Sequence, residues 1–343
     1  MLRAQLKRIS LVPRPRGLTG AGPSRRGFSS NLWGEELPPV PVLRPTLWAL
    51  AATATIFIGC ATYDVRRDVQ AVKRGGLFKD DAINSYEDLE EATKHRGNSR
   101  DITHRPQESS KWFPSAQIEA ALADYTEAEK LTLGAAALNI GLVGASSLAP
   151  GTFKQYLSHV PVSSPNYTLL TAAFGHSGLM HAGCNTFVML QFAPPLSNSH
   201  VFQGNGSHLA AFYLSTAILS SLGHHLATML PTRTYRMNRF LPGMGASGAV
   251  SAMLGSYATL HPDGKIGIIF IPGTYPVRDV MAALVLFELG GLFIGYPTIS
   301  LAHAAHLAGL ALGSAYVYFD GKKHIWRPTR RSVFYWMKRL NMV

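Results

Sequence analysis

Leu241-Pro-Gly-Met-Gly-Ala-Ser-Gly-Ala-Val250 opens an apolar run that continues through Met253 and Leu254. At its centre Ser247 lies between Gly245 and Gly248. A serine among glycines keeps its hydroxyl and backbone N–H uncovered, because glycine lacks the Cβ that blocks close approach of another backbone. That suits a nucleophile whose oxyanion is held by local N–H groups. The same small residues also suit close packing of membrane helices, and the stretch taken alone fits packing better. The soluble nucleophile elbow, Gly-x-Ser-x-Gly, is not matched, since Ala249 stands two positions after Ser247. An elbow also needs a strand before the serine, and Arg239-Phe-Leu-Pro242 is a poor strand. The remainder of the chain must therefore supply a base and an oxyanion site.

Charge distribution sets the solvent in which this stretch sits. Charged residues make up 15% of the chain and crowd into its first third and its last two dozen positions. From Leu131 to Phe319 long stretches carry no charge. That is the pattern of an all-α polytopic membrane protein rather than of a soluble core. A bilayer needs about 20 residues of helix, and the apolar runs give seven spans: Pro45–Tyr63, Leu131–Leu148, Tyr167–Phe192, His208–Leu230, Met244–Leu260, Val280–Tyr296 and Ser300–Phe319. The first stands far from the others and reads as a separate anchor. Residues 64–130 between them are polar, carry both signs of charge and read as a linker. Gly151–Asn166 is a semi-polar connection suited to the interface, and Ile266–Tyr275, broken by Pro272 and Gly273, reads as a loop or re-entrant turn.

Polar side chains inside spans are costly and mark functional sites by default. Three sets stand out: Ser247; His176, His181 and Asn185; and His303 with His306. His181 and Asn185 are four apart and share a helix face. Both can donate to a developing anion. His306, Gly309 and Gly313 also share a face, and Gly309-x-x-x-Gly313 is a close-approach signature. It would press the seventh span against the glycine-rich entry of the fifth, within reach of Ser247, where neutral imidazole is a competent base. His303 reads as a residue behind the site or in a loop, and His224-His225 as an interfacial pair. A metal reading of the histidines is disfavoured: there is no His-Glu-x-x-His, no carboxylate stands near them in sequence, and Glu288, the one acid in a late span, has no ligand spacing. No cofactor is expected.

These three sets, in this order, resemble the rhomboid family of intramembrane serine proteases. The resemblance is carried by His181-Ala-Gly-Cys-Asn185, Gly245-Ala-Ser-Gly248 and Ala305-His306-Leu-Ala-Gly309-Leu-Ala-Leu-Gly313, and it covers roughly residues 131–319. It implies a six-helix core preceded by one extra transmembrane helix (1+6), as in the mitochondrial branch. Carried over, Ser247 would be the nucleophile and His306 its base. His181, Asn185 and the Ser247 N–H would form the oxyanion site. His176, Gly245, Gly248, Gly309 and Gly313 would be structural. With no acid to orient the histidine, the pattern resembles a dyad. Some bacterial members place a tyrosine four residues after the nucleophile, where this chain has Ser251. The resemblance also implies membrane-anchored protein substrates, such as a dynamin-like fusion GTPase or presequence-bearing intermembrane-space proteins. A transporter would show paired acids or repeats in the bundle, and neither occurs.

The ends of the chain agree with that address. Residues 1–34 contain Arg3, Lys7, Arg8, Arg14, Arg16, Arg25 and Arg26 and no acid, the composition of a mitochondrial transit peptide. Cleavage is expected near Phe28, and the resemblance implies the inner membrane as the address of the mature protein. Much of the net charge of +12 belongs to this leader and to the basic tail 320–343. The charge is therefore no sign of nucleic acid, and Trp326, Tyr335 and Trp336 suit an interfacial anchor beside the lipid bilayer. Cys60 and Cys184, each in an apolar run, exclude a disulfide framework. A matrix N-terminus and seven spans would open the site toward the matrix half of the membrane.

Overall fold

A computed structural model of the protein describes residues 37–74, 83–100, 118, 121–268, 271–296 and 301–342. The basic leader and much of the polar stretch before residue 121 lie outside the described residues. The helices, in chain order, are α1 (Leu43–Arg74), α2 (Tyr86–Arg100), α3 (Glu127–Ser146), α4 (Pro150–Tyr156), α5 (Thr168–Thr171, continued by a 3₁₀ turn at Ala172–Phe174), α6 (Leu179–Ser197), α7 (Gly206–Ala227), α8 (Arg233–Asn238), α9 (Ser247–Leu260), α10 (Val277–Phe293), α11 (His303–Tyr318) and α12 (Arg327–Arg339). Within the stretch Ile266–Tyr275 the described residues are strand rather than loop or re-entrant turn. They contribute to an antiparallel hairpin, β1 (Lys265–Ile268) and β2 (Ile271–Pro276), in which Ile266 faces Tyr275.

Among the described residues one helix, α1, is long and apolar enough to cross a membrane by length and composition. Helices α3, α6 and α7 have 20, 19 and 22 residues, but histidines and other polar groups interrupt them. Helices α9, α10 and α11 have 14, 17 and 16 residues, short of the roughly 20 that span hydrocarbon. The third expected span is broken. Gly175–Gly178 is non-helical between the 3₁₀ turn and α6. Non-helical backbone at membrane depth is tolerated where it lines a cavity, and His176 lies in this break.

Local chemistry explains several boundaries. Thr126 and Glu129 form a reciprocal capping box that starts α3. Asn205 Oδ1 accepts the His208 N–H at 2.8 Å and starts α7. Helix α9 has no side-chain cap, so its first N–H groups are left for another acceptor.

The core that holds the site lies among α3, α6, α7 and α9, with Met189, Leu196, Phe202, Leu209, Phe212 and Met253 at its centre. Helices α9 and α11 approach through their glycines. A Cβ on Gly309 would lie 2.1 Å from the Gly248 carbonyl oxygen, and one on Gly313 would lie 1.8 Å from that of Ala252. Ser256 Oγ donates to the Gly313 carbonyl at 3.0 Å, and Ser314 Oγ to that of Gly255 at 3.1 Å. No side chain fits between the two backbones, so they are held at near-contact distance.

The first helix is not a separate anchor. Ala49 of α1 packs with Leu169, Ile218 and Leu222. Farther along, Phe57, Val65 and Val72 pack with Tyr86 and Leu89 of α2 and with Phe334 of α12. The basic tail is likewise no free interfacial anchor. Trp326 is buried and stacks on His208 with ring centroids 4.7 Å apart. Its outer aromatic, Trp336, is exposed. The joint is charged: the fully buried Asp64 carboxylate accepts from Arg67 at 2.9 Å and from Asn205 Nδ2 at 3.0 Å, and pairs with Arg330 at 3.0 Å. Arg330 also pairs with Asp68. Burial beside Asp64 pushes the Asp68 carboxyl up to about 6, against the pull of Arg330 and Arg67.

A second polar joint ties the start of α1 to the site. The Pro41 carbonyl can only accept, so His225 Nε2–H donates to it at 2.7 Å. His225 Nδ1 then accepts from His159 Nε2–H at 2.9 Å, and His159 Nδ1 lies 2.7 Å from Thr168 Oγ1. The His224-His225 pair is therefore buried in the bundle rather than interfacial. The His159 backbone exchanges two hydrogen bonds with Gly243, at 2.8 and 2.9 Å, and so pins the segment that enters Ser247.

Three outcomes are expected from thermal melting in detergent. Gly309→Ala or Gly313→Ala lowers stability by about 1–3 kcal/mol through overpacking. Gly59→Ala, where a Cβ meets nothing within 4 Å, does not. Arg330→Met leaves the buried Asp64 with Arg67 as its remaining cationic partner and costs about 3–5 kcal/mol, largely recovered by adding Asp64→Asn. Burial and the neighbouring His225 and His224 push His159 down to about 3. Below about pH 6.5 the unfolded chain takes up a proton that the folded ring refuses. Stability from this ring is thus full above that pH and falls, by up to about 1.4 kcal/mol per unit, as the pH drops toward 3; His159→Gln flattens that slope.

Candidate active site

Ser247 is the first residue of α9 and follows Gly245, whose φ of +132° is a conformation that L side chains rarely adopt. Gly245 N–H donates to the Ala172 carbonyl at 2.8 Å. Ala246 N–H donates to His176 Nε2 at 3.4 Å. The 3₁₀ turn and the break after it therefore hold the two residues ahead of the serine. The Ser247 N–H belongs to an uncapped helix start, where partial positive charge gathers.

His306 lies one turn into α11, and its Nε2 is 2.8 Å from Ser247 Oγ. The glycine contact described above produces this meeting, since Gly309 and Gly313 follow His306 along the same face of α11. His181 and Asn185 stand on α6 across from the serine segment. A Cβ at Gly245 would fall 2.8 Å from His181 Nε2 and 3.7 Å from Asn185 Nδ2, so glycine is what leaves room for these groups. The Ser177 N–H donates to His181 Nδ1 at 3.4 Å. The neutral ring then carries its proton on Nε2, facing Gly245. Asn185 Nδ2 is buried and has no hydrogen-bond partner, a donor left open beside the serine. His176 packs edge-on against His181 with centroids 5.1 Å apart.

The dyad expectation needs correction, because an acid does reach the histidine. Glu288 of α10 places Oε1 2.9 Å from His306 Nδ1 and Oε2 2.6 Å from His303 Nδ1. The carboxylate side chain is 4% exposed. Sequence reasoning passed over this acid because it is 18 residues from His306 and on the preceding helix. The available signal was its presence in an otherwise apolar run. Ser251, in the place of a stacking tyrosine, does not hold His306; the carboxylate does.

Ser247, His306, His181 and His176 line a cavity of about 990 Å³. Its remaining wall is mostly apolar, with Leu142, Phe153, Met180, Leu241 and Leu301 among the lining residues, and among the described residues Lys154 is its one permanently charged side chain. Among the described residues no group of three or more His, Cys, Asp or Glu side chains is arranged to hold a metal ion. The arrangement can lower the barrier to attack by a serine oxygen. A base accepts its proton, and three N–H groups surround the place where an oxyanion would form.

Comparison with known proteins adds an independent finding. The rhomboid domain family matches residues 163–323. The presenilin-associated rhomboid-like protein, mitochondrial, of Homo sapiens is 28% identical over 169 residues, 49% of this chain and 41% of that protein. The presenilin-associated rhomboid-like protein A, mitochondrial, of Danio rerio is 28% identical over 190 residues, 55% of this chain and 46% of that protein. Rhomboid protein 1, mitochondrial, of Saccharomyces cerevisiae is 26% identical over 155 residues, 45% of this chain and 42% of that protein. The chain thus spans less than half the length of the curated relatives it matches. The matched range contains His176, His181, Asn185, Ser247, Glu288, His303 and His306, and the chain carries a rhomboid domain.

Proposed function

We propose that the chain is an intramembrane serine endopeptidase that cuts peptide bonds in or next to transmembrane segments of membrane-anchored proteins. One observation carries the reading: Ser247 Oγ meets His306 Nε2 at 2.8 Å beside a cavity lined by His181, with Asn185 Nδ2 near Gly245. Ser247 O–H donates to His306, which takes the proton as the oxygen attacks the scissile carbonyl. The tetrahedral oxyanion is held by the Ser247 N–H, His181 Nε2–H and Asn185 Nδ2–H. His306 then gives the proton to the leaving amine as the C–N bond breaks. Water entering the cavity repeats the sequence on the acyl ester and restores the serine.

A peptide reaches Ser247 only if its helix unwinds locally. Substrates with small or helix-weakening residues near the cut are therefore favoured over strong helix formers. The mitochondrial names of the relatives and the acid-free basic leader support an inner-membrane address, with residues 1–34 as a transit peptide and a 1+6 arrangement in which α1 precedes α3, α6, α7, α9, α10 and α11. The hydrogen-bonded path from Pro41 through His225 and His159 to Gly243 puts the start of α1 at the site's end of the bundle. A matrix N-terminus would then give a site opening to the matrix half. Substrates of this address are inner-membrane-anchored proteins, such as a dynamin-like GTPase or presequence-bearing proteins of the intermembrane space.

The test is labelling by a fluorophosphonate probe in detergent. Wild type labels; Ser247→Ala and His306→Ala do not. Labelling that persists in Ser247→Ala would move the nucleophile elsewhere. No labelling of folded wild type, together with no cleavage of a quenched transmembrane peptide, would turn the reading to a non-catalytic binder of membrane helices. His181→Ala and Asn185→Ala are each expected to slow peptide cleavage by about 10²–10³, chiefly in kcat.

A further inference from the structure

We infer that Glu288 and His303 are positioning residues of this site, so that the working unit is the series Ser247–His306–Glu288–His303; the inference rests on the protease reading above. Neither side chain lines the cavity, so both act through His306 and not on substrate.

The argument runs atom by atom. A carboxylate only accepts. Each oxygen of Glu288 faces one imidazole nitrogen, Oε1 toward His306 Nδ1 and Oε2 toward His303 Nδ1. Both rings therefore present Nδ1–H. With its proton there, neutral His306 has a bare Nε2 lone pair directed at Ser247 Oγ, the tautomer a general base must have. The carboxylate also lies where it can stabilise the imidazolium formed when His306 takes the serine proton.

His303 makes that charge usable. Its ring is 3% exposed and walled by Phe287 and Tyr296, with centroids 5.7 and 5.5 Å away. Its Nε2 is buried with no partner, against Gly291, where a Cβ would lie 2.2 Å away. A second proton on this ring would be a buried donor with nothing to receive it, which is costly; a bare lone pair is cheaper to leave. In its neutral form His303 thus donates from Nδ1 alone. It fixes the orientation of the carboxylate without cancelling its charge, which remains for His306. A buried carboxylate that merely joined α10 to α11 would be a poor choice of glue, since apolar residues do that without desolvating a charge.

The experiment uses full-length protein in detergent with the same fluorophosphonate probe, and records ¹⁵N-histidine spectra of the same samples. Glu288→Gln keeps the shape but offers an amide N–H to His306 Nδ1, driving the ring proton to Nε2. The labelling rate at pH 7 is expected to fall by about 10³–10⁴, and the His306 signal to change from the Nδ1–H to the Nε2–H tautomer. His303→Ala is expected to cost about tenfold or more, as loss of a hydrogen-bond partner behind a working histidine does elsewhere. A folded Glu288→Gln protein that labels within about threefold of wild type, with His306 still carrying Nδ1–H, overturns the inference and leaves the protease reading intact. If wild type itself does not label, the protease reading falls. The tautomer then decides the positioning role alone: a switch in Glu288→Gln upholds it, and no switch removes it.

Discussion

The structure depends on the near-contact of α9 and α11. Two carbonyl oxygens of α9, those of Gly248 and Ala252, occupy the space where Gly309 and Gly313 would otherwise carry side chains. Membrane helices gain little from hydrophobic association, so close packing and interhelical hydrogen bonds must hold them. Here both are present, with Ser256 and Ser314 donating across the seam. The seam sets the distance between the first residue of one helix and a histidine one turn into the other. A hydrogen bond of 2.8 Å between Ser247 and His306 leaves no room for a wider crossing.

Around that seam, the polar groups of the bundle are arranged in layers of decreasing exposure. Cavity-lining groups come first: Ser247, His181 and the ring of His306. Behind them lies Glu288, then His303 inside its aromatic wall. Each inner group satisfies the one outside it, which is how charge can be retained at depth. Two other polar joints lie away from the site. The Asp64–Arg330 cluster fastens α12 to α1, and the His159–His225 chain fastens the start of α1 to the loop that enters the serine. Both explain why residues outside the rhomboid match are packed against it rather than tethered to it.

Much of the site was legible in the chain itself, for a physical reason. Polar residues in apolar runs are rare, so Ser247, His181, Asn185 and His306 stood out against their background, and helical spacing placed His181 with Asn185 and His306 with Gly309 and Gly313. The first long apolar helix was also legible, because its run Pro45–Tyr63 carries no charged residue. The broken third span was not. Its interruption at Gly175–Gly178 depends on Ala246 and Gly245 finding partners at His176 and Ala172, which are contacts between distant segments. The tail was misjudged for a related reason. Aromatic and basic residues fit a membrane interface and a buried charged joint equally well until Asp64 is known to lie opposite Arg330.

By itself, then, the sequence determined a helical chain of membrane character with a serine, a histidine–asparagine pair and a second histidine on separate helices, since hydropathy and helical period are local properties. Tertiary structure alone decided what orients that histidine. Glu288 has no spacing to His306 that any period would reveal, and its partner atoms are chosen by how α10 packs on α11. An imidazole proton takes the nitrogen that has an acceptor, and only packing determines where the acceptor is.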